Sequence, residues 1–398
     1  MIYLDYNATT PLDAQVLQAM LPCMERTFGN ASSIHSAGQH ARAAVDRARE
    51  SVAALIGASP AEIVFTSGGT EANNLALLGL VSAASSSTRR HVIATAIEHH
   101  AVLNACQELE RRGFDVTYLQ ARSNGVVDAQ DVRRAITSET VLISAMHANN
   151  EIGTIQPIEE IGRIAAEADI YFHCDAVQSA GKLRLDVNQL GVDLLSISAH
   201  KFYGPKGVGA LYVRPGTPLE PLFFGGHHER DRRPGTENVP GIVGIGKAAE
   251  LARACLDEDT SWIAALRDRF ETALVDSIPD ARINGNRETR VCNTTNVTFT
   301  GAGGEALLIA LDLEGIACST GAACSSGSVE PSHVLTAIGL SDDEARSTLR
   351  FSLGRGTAAH EIDRAIEVIP RVVERIRSLS PRSDLSAKDA RARTVPVR

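Results

Sequence analysis

From about Ala41 to Val213 the chain alternates between two hydrophobic patterns, and this alternation limits its fold more than any single motif. The segments "EIVFTS", "HVIATA", "DVTYLQ", "TVLISAMH", "IYFHCDA" and "VDLLSIS" are short apolar runs rich in β-branched residues. Between them lie amphipathic or small-residue stretches such as "TEANNLALLGLVSAA", "AVLNACQELERRG", "DAQDVRRAIT" and "IEEIGRIAAEA". Strands that read as continuous apolar runs are buried on both faces, so the pattern predicts an α/β fold with a mostly parallel sheet of seven strands covered by helices. The run "ALYV" and the segment after it are expected to close the sheet.

Beyond Val239 the character changes. "VGIGKAAELARACLDEDTSWIAALRDRFETALVDSI" reads as one or two long helices, followed by a shorter strand, "NTTNVTFT", and two further helical stretches. With 398 residues, 44% of them hydrophobic, the chain can bury two cores. We therefore expect a large domain over 14–256 and a smaller α/β domain built from 1–13 and 257–380. The polar, aperiodic stretch 381–398 is expected to be a mobile tail.

The totals also exclude functions. A formal net charge of -9 argues against a nucleic-acid-binding surface. No apolar run is long enough to cross a bilayer, and "MIYLDYNATTPLD" lacks a basic start and an apolar signal segment, so a cytoplasmic protein is expected. The seven cysteines are odd in number and widely spaced, which fits neither a zinc ribbon nor a disulfide framework, and no intrinsic metal is expected.

Three stretches carry chemistry. In "FTSGGTEANN" a strand ends at two glycines and a helix begins near Thr70. Gly68 and Gly69 let the backbone approach a ligand closely, and the exposed amides with the Thr70 hydroxyl form an anion site; an ordinary capped turn is the plain alternative. In "IYFHCDAVQSAGK" the period of two puts His173 and Asp175 on one face and Cys174 on the other. Asp175 then stands at the carboxyl end of its strand, where open α/β sheets bind ligands, and Gln178 can turn toward the same crevice. In "SISAHKFYGPKG", Ser198, His200 and Lys201 cluster at another strand end. A desolvated amine beside an anion site suits condensation with an aldehyde cofactor, whereas a capping surface lysine does not. A phosphate cradle, an aspartate about a hundred residues later and a lysine shortly after it form the layout of a pyridoxal-phosphate enzyme.

Ten stretches in chain order, between about Tyr3 and Arg355, make that layout specific. They are "YLDYNATTP", "FGNASSIH", "EIVFTSGGTEANN", "IEHHAVL", "MHANNEIGTIQPI", "HCDAVQSAGK", "SAHKFYGPKGVGALY", "GGHHERDRRPGTENV", "STGAACSSGSVEPSHVL" and "LRFSLGR". Together they resemble the NifS/IscS-type cysteine desulfurases of the class V aminotransferase superfamily. The resemblance implies the aspartate-aminotransferase-like fold (fold type I) and pyridoxal 5'-phosphate as cofactor. Lys201 would hold the cofactor and move the substrate's α-carbon proton. Asp175 would pair with the pyridine nitrogen. His99 would stack on the ring and exchange a proton with the substrate thiol, and Asn150 and Gln178 would contact the ring edge and its oxygen. Gly69, Thr70, Ser198 and His200 would bind the phosphate, joined by Thr236 of a second subunit in a homodimer. Arg350 would clamp the carboxylate of L-cysteine, with Asn30 nearby. The neighbour His100 is read as a surface histidine, and Arg350 is preferred to Arg355 as the family's carboxylate-binding arginine, an ordinary salt bridge being the plain alternative for either.

A desulfurase also needs a thiol. Cys324 lies among serine, glycine and alanine, which suits a loop that must deliver a thiolate, whereas Cys318 follows the apolar "LEGIA" and is expected to face a core. By resemblance Cys324 would take the sulfur as a persulfide, through which it could transiently ligate an iron–sulfur cluster, and pass it to an iron–sulfur scaffold or other acceptor protein. The chain departs from the family in having Ala31 where proline is usual after Asn30, and Ala199 where glycine is usual. An aminotransferase or a selenocysteine lyase would use the same cofactor. A phosphate-loop nucleotide binder is suggested only by "GIVGIGKA", which lacks the hydroxyl residue that would hold magnesium.

Overall fold

The computed structural model describes residues 1–84, 89–320 and 331–379, and the expected tail 381–398 lies outside them. Strand β1 (Ile2–Tyr3) starts the chain. Strands β2 (Ile63–Thr66), β3 (His91–Thr95), β4 (Asp115–Leu119), β5 (Thr140–Ser144), β6 (Tyr171–Asp175), β7 (Leu194–Ser198) and β8 (Gly209–Val213) form one sheet of seven strands. Their order is β2-β8-β7-β6-β5-β3-β4. The five strands from β7 to β4 run parallel, and β8 is antiparallel to both β7 and β2. The sheet is therefore mostly parallel, as the sequence predicts. Strand β8 does not close it: the "ALYV" run lies second from the edge, and no described segment after it joins this sheet.

Both faces are covered because every strand carries apolar side chains on both. On one face Ile93, Ile143, Phe172, Cys174 and Ile197 share a core with Val16 and Met20 of the helix Ala14–Glu25 and with Val45 and Val52 of the helix Ser36–Leu55. On the other, Val92, Leu142, Leu194 and Leu211 pack with Leu75, Leu80, Val102 and Leu109. The alternation read in "YFHCD" follows: Cys174 lies in the first core. The ring nitrogens of His173 meet Ser144 Oγ at 2.9 Å and Ser196 Oγ at 3.0 Å. Burial pushes that imidazole down to about 3, so it is a neutral core residue.

A second sheet consists of β9 (Ala281–Ile283), β10 (Thr294–Phe299) and β12 (Thr348–Ser352), antiparallel in the order β12-β10-β9, while β1 pairs in parallel with β11 (Ile316–Ala317). Its core gathers Leu4, Phe270, Val297, Phe351 and Ile369, with the Phe270 and Phe351 rings edge to face at 5.2 Å. One 39-residue helix, Val239–Ser277, serves both cores. Ile242, Ile245 and Ala252 belong to the first, and Ile263, Phe270 and Leu274 to the second. The expected boundary at residue 256 thus falls inside a continuous helix. No helix among the described residues is long and apolar enough to cross a membrane.

The same helix accounts for "GIVGIGKA". A Cβ on Gly244 would lie 2.7 Å from Pro205 and 2.8 Å from Met20, and one on Gly246 would lie 2.6 Å from Ala48 Cα. These glycines let helices approach one another, and no strand precedes them as a phosphate loop requires. Gly246→Val should therefore force the helix away from Ser36–Leu55, lowering stability by about 1–3 kcal/mol. A reduced urea midpoint would register this, and an unchanged midpoint would show that the contact tolerates a side chain.

Candidate active site

The carboxyl ends of β6 and β7, the turn after β2 and one strand of the second sheet surround a cavity of about 420 Å³. Asp175 ends β6 at its floor and is 5% exposed. Its Oδ2 accepts from Asn73 Nδ2 at 2.6 Å and its Oδ1 from the Val177 amide at 2.9 Å, so the carboxylate is held at both oxygens. Lys201 follows β7 in the short turn Ala199–Lys201. Its amine donates to the carbonyl oxygens of Asn7 at 2.6 Å and Ala8 at 2.7 Å. Burial, aided by the Arg350 charge and opposed by Asp175 and Asp5, pushes this amine down to about 8.

His99 precedes the helix His100–Arg111, and its Nδ1 accepts from the Ala101 amide at 3.0 Å. Burial lowers its pKa below the usual value, so the ring is neutral near pH 7 and carries its proton on Nε2. His99 lines the cavity, while the His100 ring leans on that of His333 at 4.8 Å. Gly68 has φ 154, which suits glycine. A Cβ on Gly69 would lie 2.8 Å from Val177, and one on Gly209 of the facing strand 2.8 Å from Gly68 Cα. Three glycines thus make room for the turn and for whatever the turn holds. Thr70, Ser198 and His200 line the same side, and desolvation drives the His200 imidazole down to about 4.

Arg350 enters from β12 and is 4% exposed. It donates to Asn150 O at 2.9 Å and to Asp5 Oδ1 at 2.6 Å. Arg355 lies apart, pairing with Asp259 at 2.7 Å and Asp13 at 3.3 Å over the Tyr203 ring. Lys201, Asp175, His99, Gly69, Thr70, Asn150, Gln178, Ser198, His200 and Arg350 therefore meet in one cavity. Thr236 and Asn30 do not: both are exposed away from it, and Asn30 Oδ1 accepts from the Ser32 amide at 2.8 Å. Cys324 lies outside the described residues. Cys318 is buried in the second core, its thiol pushed up to about 12 by burial.

Several participants were not read from the sequence. Asn73 holds Asp175, Asn7 supplies a carbonyl to Lys201, and Asp5 occupies Arg350. Glu98, beside His99, is completely buried; burial and the nearby Asp175 charge push its carboxyl up to about 8. Asn73 lies one helical turn after the Gly69 amide, which was the available signal. Asn7 and Asp5 carried no local one.

Comparison with known proteins gives concordant results. Residues 2–365 match the family described as Aminotransferase class-V. A cysteine desulfurase IscS of Dictyoglomus turgidum is 51% identical over 380 residues, spanning 96% of this chain and 96% of that protein. A cysteine desulfurase IscS of Methanosarcina thermophila is 50% identical over 380 residues, 96% of this chain and 94% of that one. Among solved structures, a NifS-like protein superposes with a TM-score of 0.88 at 38% identity, covering 94% of this chain and 99% of its own. SspA in complex with cysteine gives 0.80 at 42% identity, covering 90% and 100%.

The lowered proton affinity of Lys201 has a measurable sign. Between about 8 and the ordinary value of 10.5, the unfolded chain binds a proton that the folded chain does not, so this group makes stability rise with pH across that window. Below it both states are protonated, and the folded chain carries the cost of a buried ammonium. Lys201→Met should therefore stabilise the ligand-free protein most at pH 7, with the advantage shrinking toward pH 10. Urea midpoints that differ by the same amount at both pH values would contradict this.

Proposed function

The chain belongs to the class V aminotransferase family, and on that premise we propose that the cavity binds pyridoxal 5'-phosphate and acts there on L-cysteine. The protein is a cysteine desulfurase, converting L-cysteine to L-alanine with transfer of the sulfur to an enzyme cysteine and then to acceptors such as an iron–sulfur cluster scaffold. One observation carries the reading of the site: a single cavity holds an amine of lowered proton affinity, a doubly anchored carboxylate and a glycine-built turn.

The donor set fits the cofactor. Lys201 is the amine an aldehyde requires, and with a pKa of about 8 it keeps a minor neutral, nucleophilic fraction near neutral pH that far exceeds that of an ordinary lysine. Asp175 would hold the proton on the pyridine nitrogen, its orientation set by Asn73 and the Val177 amide. Gly69, Thr70, Ser198 and His200 would take the phosphate, with Thr236 supplied by the second chain of a homodimer, which agrees with its exposure away from its own cavity. When bound, the cofactor supplies a sink for the electron pair left on the substrate's α-carbon.

The chain's own groups do the rest. Arg350 would exchange Asp5 for the substrate carboxylate, an equal charge that its guanidinium can clamp by two parallel hydrogen bonds; Asn30 lies outside its own chain's cavity and has no part in this clamp here. Lys201 lines the cavity and would carry the α-carbon proton. His99 bears its proton on Nε2 and would exchange one with the substrate thiol. Asn150 and Gln178 would contact the cofactor ring. Cys324 would accept the sulfur as a persulfide and hand it to an acceptor protein.

Three variants separate these roles. Lys201→Ala should lose both activity and the visible absorbance that borohydride fixes. Cys324→Ser should keep that absorbance but form no persulfide and no sulfide; wild-type sulfide release would overturn its assignment. Arg350→Lys keeps the charge but loses the fork, and should raise KM for cysteine about 10- to 100-fold. Alanine formed from cysteine without a keto acid separates desulfuration from transamination.

A further inference from the structure

Gln178 lines the cavity, and its amide has one oxygen and one nitrogen to place. Two neighbours decide the matter independently. Asn7 O is a carbonyl and can only accept, so the group 3.0 Å from it must be the amide nitrogen, Nε2. On the other side the Lys182 amine stands 2.8 Å away and donates, so the atom facing it is Oε1. Lys182 donates as well to Asn7 Oδ1 at 3.1 Å. Its two acceptors are neutral carbonyl oxygens on nearly inaccessible side chains, and no carboxylate pairs with it among the described residues. Burial pushes this amine down to about 7. A neutral amine has two N–H groups, which matches the two acceptors. Lys182 does not itself line the cavity; besides its charge, which faces Lys201, Arg350 and Cys292, its influence passes through these two partners.

We propose that Lys182 is a positioning residue: by engaging Oε1 of Gln178, it leaves only an N–H of that amide for the cavity and so makes Gln178 an obligate donor toward the ring oxygen of the bound cofactor. Of the two N–H groups on Nε2, one is committed to Asn7 O and the other is free to turn to the cavity. An N–H in that position favours an anionic oxygen, and holding that oxygen anionic lowers the pH at which the cofactor's chromophore loses its proton. Without Lys182, Oε1 loses its partner and the amide is free to leave this orientation. The inference rests on the cofactor reading above.

The test is the pH midpoint of the visible absorbance of the pyridoxal 5'-phosphate holoenzyme, measured for wild type, Lys182→Met, Gln178→Ala and the double variant. Lys182→Met keeps the stem's length without its donor, and Lys182→Leu is read in the same way should the Met protein not fold. Each single variant should raise the midpoint by about one pH unit, and the double variant should rise no further than Gln178→Ala alone. A purely structural contribution would lower the melting temperature and leave the midpoint in place. A Lys182→Met midpoint equal to wild type, with Gln178→Ala shifted, would overturn the proposal. So would a double variant in which the two shifts add in full, because Lys182 would then act through Asn7 or by its charge on Lys201 rather than through Gln178. A wild-type protein that takes up no cofactor would instead sink the cofactor reading, and this inference with it.

Discussion

The arrangement depends on one asparagine near the start of the chain. Asn7 is 1% exposed, and each of its polar atoms is bonded. Its amide donates to Ser352 Oγ at 2.9 Å, and its side-chain nitrogen to Thr294 Oγ1 at 2.8 Å and Asn150 O at 3.0 Å. Its side-chain oxygen accepts from Asn293 at 2.9 Å and from Lys182, and its carbonyl from Lys201 and Gln178. Ser352, Thr294 and Asn293 belong to the second sheet or its approach, whereas Lys201, Gln178 and Lys182 follow strands of the first. Two separately packed cores are thus locked together directly beneath the cavity. Removing Asn7 itself would leave several buried polar groups without compensation, which makes such a network cooperative and its geometry unique.

That junction also organises charge. Lys201, Lys182 and Arg350 crowd one side, and desolvation disfavours the charged forms of both lysines. Arg350 takes Asp5 as partner. On the opposite side Glu98 sits close to Asp175, yet its raised pKa leaves it mostly protonated near neutral pH. Its Oε1 accepts from Thr95 Oγ1 at 2.6 Å and the Met146 amide at 2.7 Å, bonds that a neutral carboxylic acid can also accept. Asp175 therefore meets the cavity without a second charged carboxyl behind it.

What the sequence made legible was local. The strand runs, the two glycines after β2, the aspartate ending β6 and the lysine following β7 are each defined by neighbours a few positions away. Period and turn chemistry suffice to read them. Asn7 bonds Ser352, 345 positions away, and Asn73 bonds Asp175, 102 positions away; neither bond leaves a local trace. Nothing local marks Lys182 in "QSAGK", because a lysine one turn beyond a glutamine normally reaches solvent. The glycines of "GIVGIGKA" are ambiguous by themselves: glycine serves close approach of any kind, and here the approaching object is another helix.

The loop before the long helix shows how far tertiary contacts override local preference. Glu229, Arg230 and Asp231 all adopt left-handed backbone, with φ of 44, 58 and 65. Three such residues in succession cost about 1–2 kcal/mol each where the residue is not glycine. The compensation is a buried fork: Arg49 meets both Glu229 oxygens at 2.6 and 2.8 Å, and Glu229 also accepts from the Phe65 amide at 3.0 Å. Arg49 stacks on the Phe65 ring, 4.6 Å from its centroid. Further along, Arg233 pairs with Glu71, in the first turn of the helix that begins at Gly69. The loop is therefore pinned at two points to β2 and the helix that follows it, the same segment that shapes the glycine turn. A strained backbone survives only where its surroundings over-determine it. Here they do so while leaving Thr236, three residues past Arg233, exposed and outside the lining of its own cavity.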